Sequence, residues 1–292
     1  MPAPGPFLGT DALRMGVTKD DLAGPRFRRI LHNVYVLASV PDGHELRCRA
    51  ATLVMPDEAV FCGITAARLY GIATPARDQR IHMAVPAETP TLPRIASIKA
   101  HLYTIPPEQI GAYHGWRIIR PERLFLELAA TVPRVDLIIA GDQLLRRSLT
   151  SHDELDRFLH SPDCHRKRGV QRGRDALEFL DERADSPPET RLRMLLIDSG
   201  LPRPVVNQDV YNSWGVWLAR PDLSYPDLKI AIQYEGAHHQ QDPRQYASDI
   251  ERDGRLTDLG WLVIRVDKRL LFDHPELVVA RVRKARRQRP HC

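Results

Sequence analysis

The amino-acid sequence predicts an α/β protein in three regions, and three observations carry that prediction. The 292 residues exceed one ordinary compact domain. Segments with helical periodicity alternate with β-rich segments through residues 45–183. After the prolines at 187 and 188, the order becomes helix, strand, hairpin, helix, strand and helix, which gives an α/β domain with a mixed sheet. We therefore expect regions spanning 1–44, 45–183 and 184–292.

Composition favours a cytoplasmic globular protein without a membrane partner. Hydrophobic residues make up 43% and charged residues 27%, which suits a chain that buries cores. No apolar run approaches the ~20 residues that span a bilayer, and the N-terminus lacks the pattern of a signal peptide. The four cysteines are scattered without a CxxC pair, which favours reduced thiols and argues against a zinc site.

Basic residues are clustered along the chain. The net charge is +5, and the clusters lie at 26–29, 166–174 and 281–289. Such patches suit a polyanion, and a phosphate backbone is the usual one. Any one cluster is equally consistent with a solvated helix face. Three of them in one chain favour DNA as a partner.

The first region has the order of a winged helix-turn-helix. A short helix is expected at Asp11–Met15, and a second is capped by Thr18, with aspartates in its first turn. Gly24-Pro25 ends that helix, and a hairpin turning at His32-Asn33 follows. Many small modules share this order. The expected DNA contacts are Arg26, Arg28 and Arg29.

The sequence of the middle region indicates helices and a hydrophobic core but no active site. Pro121 suits the first turn of a helix, and Ser151 with Glu154 forms a capping box. Apolar positions at helical spacing indicate a core. No catalytic constellation stands out between 45 and 183.

The third region carries the candidate site, on a strand reading LKIAIQYEG. Alternation places Ala231, Gln233 and Glu235 on one face. A turn with a two-residue loop at Pro226-Asp227 would place Asp222 opposite Ala231, on that same face. A one-residue slip would move Asp222 to the other face.

These side chains suit a hard cation. Asp222 and Glu235 offer carboxylates and Gln233 offers an amide oxygen, so we expect all three as ligands of Mg²⁺ or Mn²⁺. Such an ion could polarise a phosphodiester and activate the attacking water. The alternative for an acidic residue beside a strand is a solvated edge.

Three motifs in residues 186–286 carry a resemblance. They are SPPETRLRMLLIDSGLPRP, RPDLSYPDLKIAIQYEGAHH and SDIERDGRLTDLGWLVIRV. This region resembles the very-short-patch-repair endonucleases, a branch of the PD-(D/E)XK superfamily with a restriction-endonuclease-like fold. The resemblance implies a metal-dependent site made by Glu189, Asp222, Gln233 with Glu235, and His239. We add Arg252 and Arg265 of the third motif as candidate DNA contacts.

The site departs from that family at two positions. Gln233 stands where the family has glutamate, and Glu235 where it has aspartate, and an amide binds a hard cation more weakly than a carboxylate. Either Glu235 compensates, or the site has lost hydrolysis and keeps binding. Glu189 is also the last residue of an S-x-x-E capping box, and His239 can equally be a surface histidine.

The N-terminal half carries a second resemblance. GVTKDDLAGPRFRRILHNVYVLA, GITAARLYGIATP and RPERLFLELAA are similar to AbiEi-type antitoxins, which implies a DNA-binding repressor with a cognate toxin. Two main functions are therefore expected: a metal-dependent DNA endonuclease or, alternatively, an AbiEi-like repressor whose nuclease-fold domain is catalytically degenerate. A third hypothesis is an interaction scaffold in a toxin–antitoxin pair.

Overall fold

The computed structural model describes residues 5–75, 78–92, 94–236 and 254–289. It confirms a mixed α/β protein, and the described strands form sheets of three, five, four and two strands. The chain divides into two compact units, one of residues 1–132 and 157–173, the other of residues 133–156 and 174–292. Across the described residues, every helix is too short or too polar to span a bilayer.

The N-terminal part of the first unit has the expected helix–helix–hairpin order. Thr18 and Asp21 form a complete capping box, and the hairpin turns at His32-Asn33 with Asn33 in the left-handed region, φ 59°. A third strand joins the hairpin in the order β1-β3-β2. The elements are β1 (Phe7–Leu8), α1 (Gly9–Arg14), α2 (Lys19–Ala23), β2 (Phe27–Leu31) and β3 (Val34–Leu37).

A five-stranded mixed sheet follows, in the order β6-β5-β4-β8-β7. Pairs β5–β6 and β4–β8 are parallel, and β4–β5 and β7–β8 are antiparallel. Every residue of β5 is buried, so both faces of the sheet are covered at this strand. The elements are α3 (His44–Thr52), β4 (Val60–Phe61), α4 (Gly63–Leu69), β5 (Ile81–Val85), β6 (Ile98–Leu102), β7 (Ile110–Tyr113), β8 (Trp116–Ile119) and α5 (Pro121–Ala129).

Helix α6 (Arg134–Arg146) packs in the second unit, although the sequence groups it with the middle region. Its partner is α9 (Pro187–Asp198). Asp142 of α6 lies 2.6 Å from the guanidinium of Arg193 on α9, and both side chains are buried. This ion pair explains why residues 133–156 belong with the C-terminal unit. Two further helices are α7 (His152–His160) and α8 (Val170–Leu177).

The second unit contains a four-stranded mixed sheet in the order β14-β13-β12-β9. β13 is parallel to β14, and β12 is antiparallel to both β13 and β9. A separate two-stranded ribbon is formed by β10 and β11. The elements are β9 (Val205–Val206), β10 (Val210–Tyr211), β11 (Trp217–Ala219), β12 (Leu223–Tyr225), β13 (Ile230–Glu235), β14 (Leu262–Asp267), α10 (Lys268–Phe272) and α11 (Pro275–Gln288).

The register of the β12–β13 hairpin differs from the prediction by two residues. Tyr225 pairs with Ile230, so the loop holds four residues, and Lys229 closes it in the left-handed region at φ 47°. The expected two-residue loop, and with it the pairing of Asp222 with Ala231, is therefore wrong. Extending the observed register by one residue places Asp222 opposite Gln233. A two-residue shift keeps the same face.

Candidate functional site

Asp222 lies immediately before β12, half-buried and hydrogen-bonded to its neighbours. Its carboxylate accepts a hydrogen bond from the Tyr234 backbone N–H at 2.6 Å. Its backbone carbonyl accepts another from the N–H of Asn207 at 3.0 Å. The side chain therefore already contacts the neighbouring strand β13.

Glu189 lies in the first turn of α9, where its backbone N–H donates to the hydroxyl of the N-cap residue Ser186, so it takes part in the cap that the sequence offers as its alternative role. The Ser186 hydroxyl donates to Glu189 Oε1 at 2.7 Å, and the backbone N–H of Asp185 donates to Oε2 at 3.0 Å. The amide of Asn207 donates to Oε2 at 2.7 Å. Asn207 thus links the Glu189 carboxylate to the backbone of Asp222.

Gln233 and Glu235 share the face of β13 that the alternation predicts. Glu235 Oε1 lies 2.8 Å from the guanidinium of Arg265 on β14, and both side chains are 39% exposed. Gln233 Nε2 is buried, without a hydrogen-bond partner among the described residues. Arg265, a candidate DNA contact, therefore holds a protein carboxylate.

Within the part of the chain that the structure describes, no group of three or more His, Cys, Asp or Glu side chains is placed to hold a metal ion. The expected binding of Mg²⁺ or Mn²⁺ by Asp222, Gln233 and Glu235 stays a prediction. Asp222, Glu189 and Glu235 accept hydrogen bonds or an ion pair from protein groups. His239 and Arg252, the remaining predicted site residues, lie outside the described residues.

The three predicted DNA-contacting arginines of the N-terminal hairpin have different surroundings. Arg28 donates to the Val40 carbonyl at 3.0 Å and lies 3.8 Å from Asp42, so it ties the hairpin to the following loop. Arg26 is exposed, with its guanidinium 5.4 Å from the ring centre of Phe27. Arg29 is also exposed, in the middle of β2.

A polar cluster in the first unit was not anticipated from the sequence. The Glu127 carboxylate accepts from the Tyr103 hydroxyl at 2.7 Å, from Arg123 Nε at 3.0 Å and from the Gly63 backbone N–H at 3.0 Å. Burial raises the pKa of Tyr103, and the Glu127 charge raises it further. The spacing of four between Arg123 and Glu127 was the available signal, hidden within an apolar helix pattern.

Two histidines on the neighbouring strands β5 and β6 form a second polar cluster. His82 Nδ1 lies 3.2 Å from His101 Nε2, and His82 Nε2 lies 3.2 Å from the Asp78 carboxylate. Burial lowers the pKa of both histidines, and the Asp78 carboxylate opposes this shift at His82. Because two facing imidazolium ions repel, this geometry suits neutral rings.

Comparison with known proteins finds a family similar to the middle of the chain. Residues 59–179 match the family model of the AbiEi antitoxin C-terminal domain. Two proteins of Mycobacterium tuberculosis, uncharacterized protein MT2308 of strain CDC 1551 / Oshkosh and uncharacterized protein Rv2248 of strain H37Rv, are each 29% identical over 245 residues. Each alignment covers 82% of this chain and 84% of the relative.

A solved structure is more distantly similar. The crystal structure of the RV2827C protein from Mycobacterium tuberculosis covers 72% of this chain and 84% of its own, at 15% identity and a TM-score of 0.43.

The match of residues 59–179 to the antitoxin family model confirms the expected AbiEi resemblance there, whereas the endonuclease resemblance of residues 186–286 stays a prediction.

Proposed function

We propose that this protein is a DNA-binding regulator of the AbiEi antitoxin type. The observation that carries the proposal is the match of residues 59–179 to the antitoxin C-terminal domain. The helix–helix–hairpin order that precedes it supports a winged helix-turn-helix as the DNA-binding module. A cytoplasmic location, expected from composition, belongs to the same proposal.

The hairpin supplies the DNA contacts in this proposal. Helix α2 is only five residues long and carries exposed Asp20, which repels phosphate. Arg26 and Arg29 are exposed around β2 and extend toward solvent. Cations of this kind neutralise phosphates and give salt-dependent binding. Arg28, bound to Val40 and Asp42, has a structural role instead.

A binding assay with the full-length chain and DNA from its own promoter tests this assignment. The double substitution Arg26→Gln and Arg29→Gln is expected to weaken binding at least about tenfold at moderate salt, because two phosphate contacts are lost. Arg94→Gln with Arg117→Gln is the matched control, since both arginines are exposed in the first unit. Equal affinity of the two double variants would overturn the hairpin assignment, and absence of a complex with wild type would overturn DNA binding.

An antitoxin-type role also requires a protein partner. The proposal expects a cognate toxin, for which the product of the neighbouring gene is the first candidate. Co-expression of the two proteins with one of them tagged should yield a complex that survives gel filtration. If the two elute separately, the regulator acts without that partner.

A metal-dependent DNA endonuclease is the second candidate, favoured by the register that places Asp222 opposite Gln233. We propose that this site is degenerate, because its carboxylates are bound to protein groups. Plasmid DNA incubated with Mg²⁺ or Mn²⁺ should therefore stay intact. Cleavage that is lost in Asp222→Asn, but kept in the exposed control Asp227→Asn, would instead establish the enzyme.

A further inference from the structure

A groove follows the edge strand β14 of the four-stranded sheet in the second unit. Its walls are β14 and α11, and its volume is about 420 Å³. β14 pairs with β13 on one side, and no described strand pairs with its other side. The groove therefore gives access to the strand backbone, over an apolar floor that includes Leu262, Ile264 and Ala285.

The groove carries one sign of charge. Arg265, Arg281 and Lys284 line it, and no described residue lining it is acidic. Arg281, Lys284 and Gln288 lie at spacings of three and four along α11, which places them on one flank of the helix. Arg265 is partly neutralised by Glu235, so Arg281 and Lys284 provide most of the uncompensated charge.

Whereas Arg287 is exposed outside the groove, three other arginines of this segment have structural partners. Each donates to a backbone carbonyl or lies over an aromatic ring within the same unit. The partners are the Ser199 carbonyl for Arg283, the Tyr225 ring for Arg286 and the Gly260 carbonyl for Arg289. Arg281 and Lys284, by contrast, are exposed and contact no acidic group among the described residues.

From this division we infer that the groove binds the sugar–phosphate backbone of a nucleic acid, with Arg281 and Lys284 contacting successive phosphates. The backbone N–H groups of the open strand edge can donate to the same oxygens, and the apolar floor can pack against sugars. This site is separate from the N-terminal hairpin and does not rest on the contact proposed there.

Two alternative roles for the groove predict different behaviour. Lysine and arginine beside an open strand protect it from pairing with a second copy of the chain. An extended acidic polypeptide can instead add to the edge as a new strand and pair with the same cations. A phosphodiester backbone is favoured because it carries a charge at every repeat, whereas a peptide needs acidic residues at matched positions.

The test measures binding of a labelled 20-base-pair duplex of arbitrary sequence to the full-length protein, between about 50 and 200 mM salt. Arg281→Gln with Lys284→Gln should weaken binding at least about tenfold and make the salt slope shallower by about two, because each phosphate contributes about 0.9. Lys268→Gln with Arg269→Gln is the matched control, since both are exposed cations of the same unit. A single-stranded 20-mer and poly-glutamate are measured in parallel.

Each outcome decides the proposal. A selective loss of nucleic-acid affinity in the groove variant supports it, and the single-stranded probe shows which form is preferred. Equal affinity and slope in both variants overturn it. Loss of poly-glutamate binding with DNA binding intact assigns the groove to an acidic polypeptide, and self-association with DNA binding intact assigns it to edge protection. The Arg26→Gln, Arg29→Gln variant reports separately on the hairpin, so the two proposals fail independently.

Discussion

Each compact unit buries a carboxylate that binds an arginine and two further donors, yet the two ion pairs differ in their access to water. In the first unit, the side chains of Arg123 and Glu127 are 10% and 16% exposed. In the second unit, those of Arg193 and Asp142 are 0% and 1% exposed. The two further donors of Asp142 are the Thr190 hydroxyl and the Asp181 backbone N–H.

This difference in burial predicts that substitutions destabilise the Arg123–Glu127 pair less than the Arg193–Asp142 pair. Removing charges from water costs several kcal/mol per ion, and only a well-placed partner compensates for it. Arg123 has a second partner, because it donates to Gln109 Oε1 at 3.0 Å. Arg193 also binds the Phe179 carbonyl, but its Nε is buried without a partner among the described residues. The second unit therefore depends more strongly on a single carboxylate.

Removing that carboxylate should have the largest effect on stability. Asp142→Ala leaves Arg193 buried without its counter-ion, and we expect a loss of about 3–5 kcal/mol in the free energy of unfolding. Asp198→Ala is the control, because Asp198 pairs with Arg134 at 2.8 Å while both side chains stay more than 40% exposed. The control should cost less than about 1 kcal/mol. Urea denaturation measures both, and equal losses would show that burial does not separate the two pairs.

Neutralising the carboxylate of the first unit should have a smaller effect. Glu127→Gln keeps the size of the side chain but removes the charge that Arg123 and Tyr103 contact. We expect a loss of about 1–3 kcal/mol, since the partially solvated Arg123 retains Gln109. Glu108→Gln, at an exposed position of the same unit, should be neutral within about 0.5 kcal/mol. If Glu127→Gln lowered the free energy of unfolding as much as Asp142→Ala, the predicted difference between the two ion pairs would be contradicted.

Local signals in the sequence were sufficient for the hairpin and its preceding helix. The Thr18–Asp21 capping box and the His32-Asn33 turn depend on neighbours within four residues, and both form. Strand alternation likewise gave the correct face of β13. The length of the β12–β13 loop was not decided in the same way, because a proline after Tyr225 suits either a two-residue turn or the observed four-residue loop.

Local sequence patterns could not predict contacts between residues that are far apart in the chain. Nothing local in α6 tells that Asp142 pairs with Arg193, 51 residues away. The same holds at the candidate site, where spacing placed Glu235 on the correct face but did not reveal Arg265 as its partner. The resemblance supplied residue identities, whereas the hydrogen-bond partners of Asp222 and Glu189 required the structure.

The smallest expected effect concerns the dependence of stability on pH, because two histidine rings lie on strands β5 and β6 of the first unit. Burial lowers the pKa of His82 and His101 below the ordinary value of 6.5. The folded chain then binds fewer protons than the unfolded chain, so stability is full above about pH 6.5 and falls as pH decreases toward the folded pKa. Each extra proton taken up on unfolding contributes about 1.4 kcal/mol per pH unit. In His101→Gln this slope should become shallower than in the wild type between about pH 5 and 6.5. Urea denaturation across that range measures it, and identical slopes in the variant and the wild type would show that these rings do not make the first unit acid-sensitive.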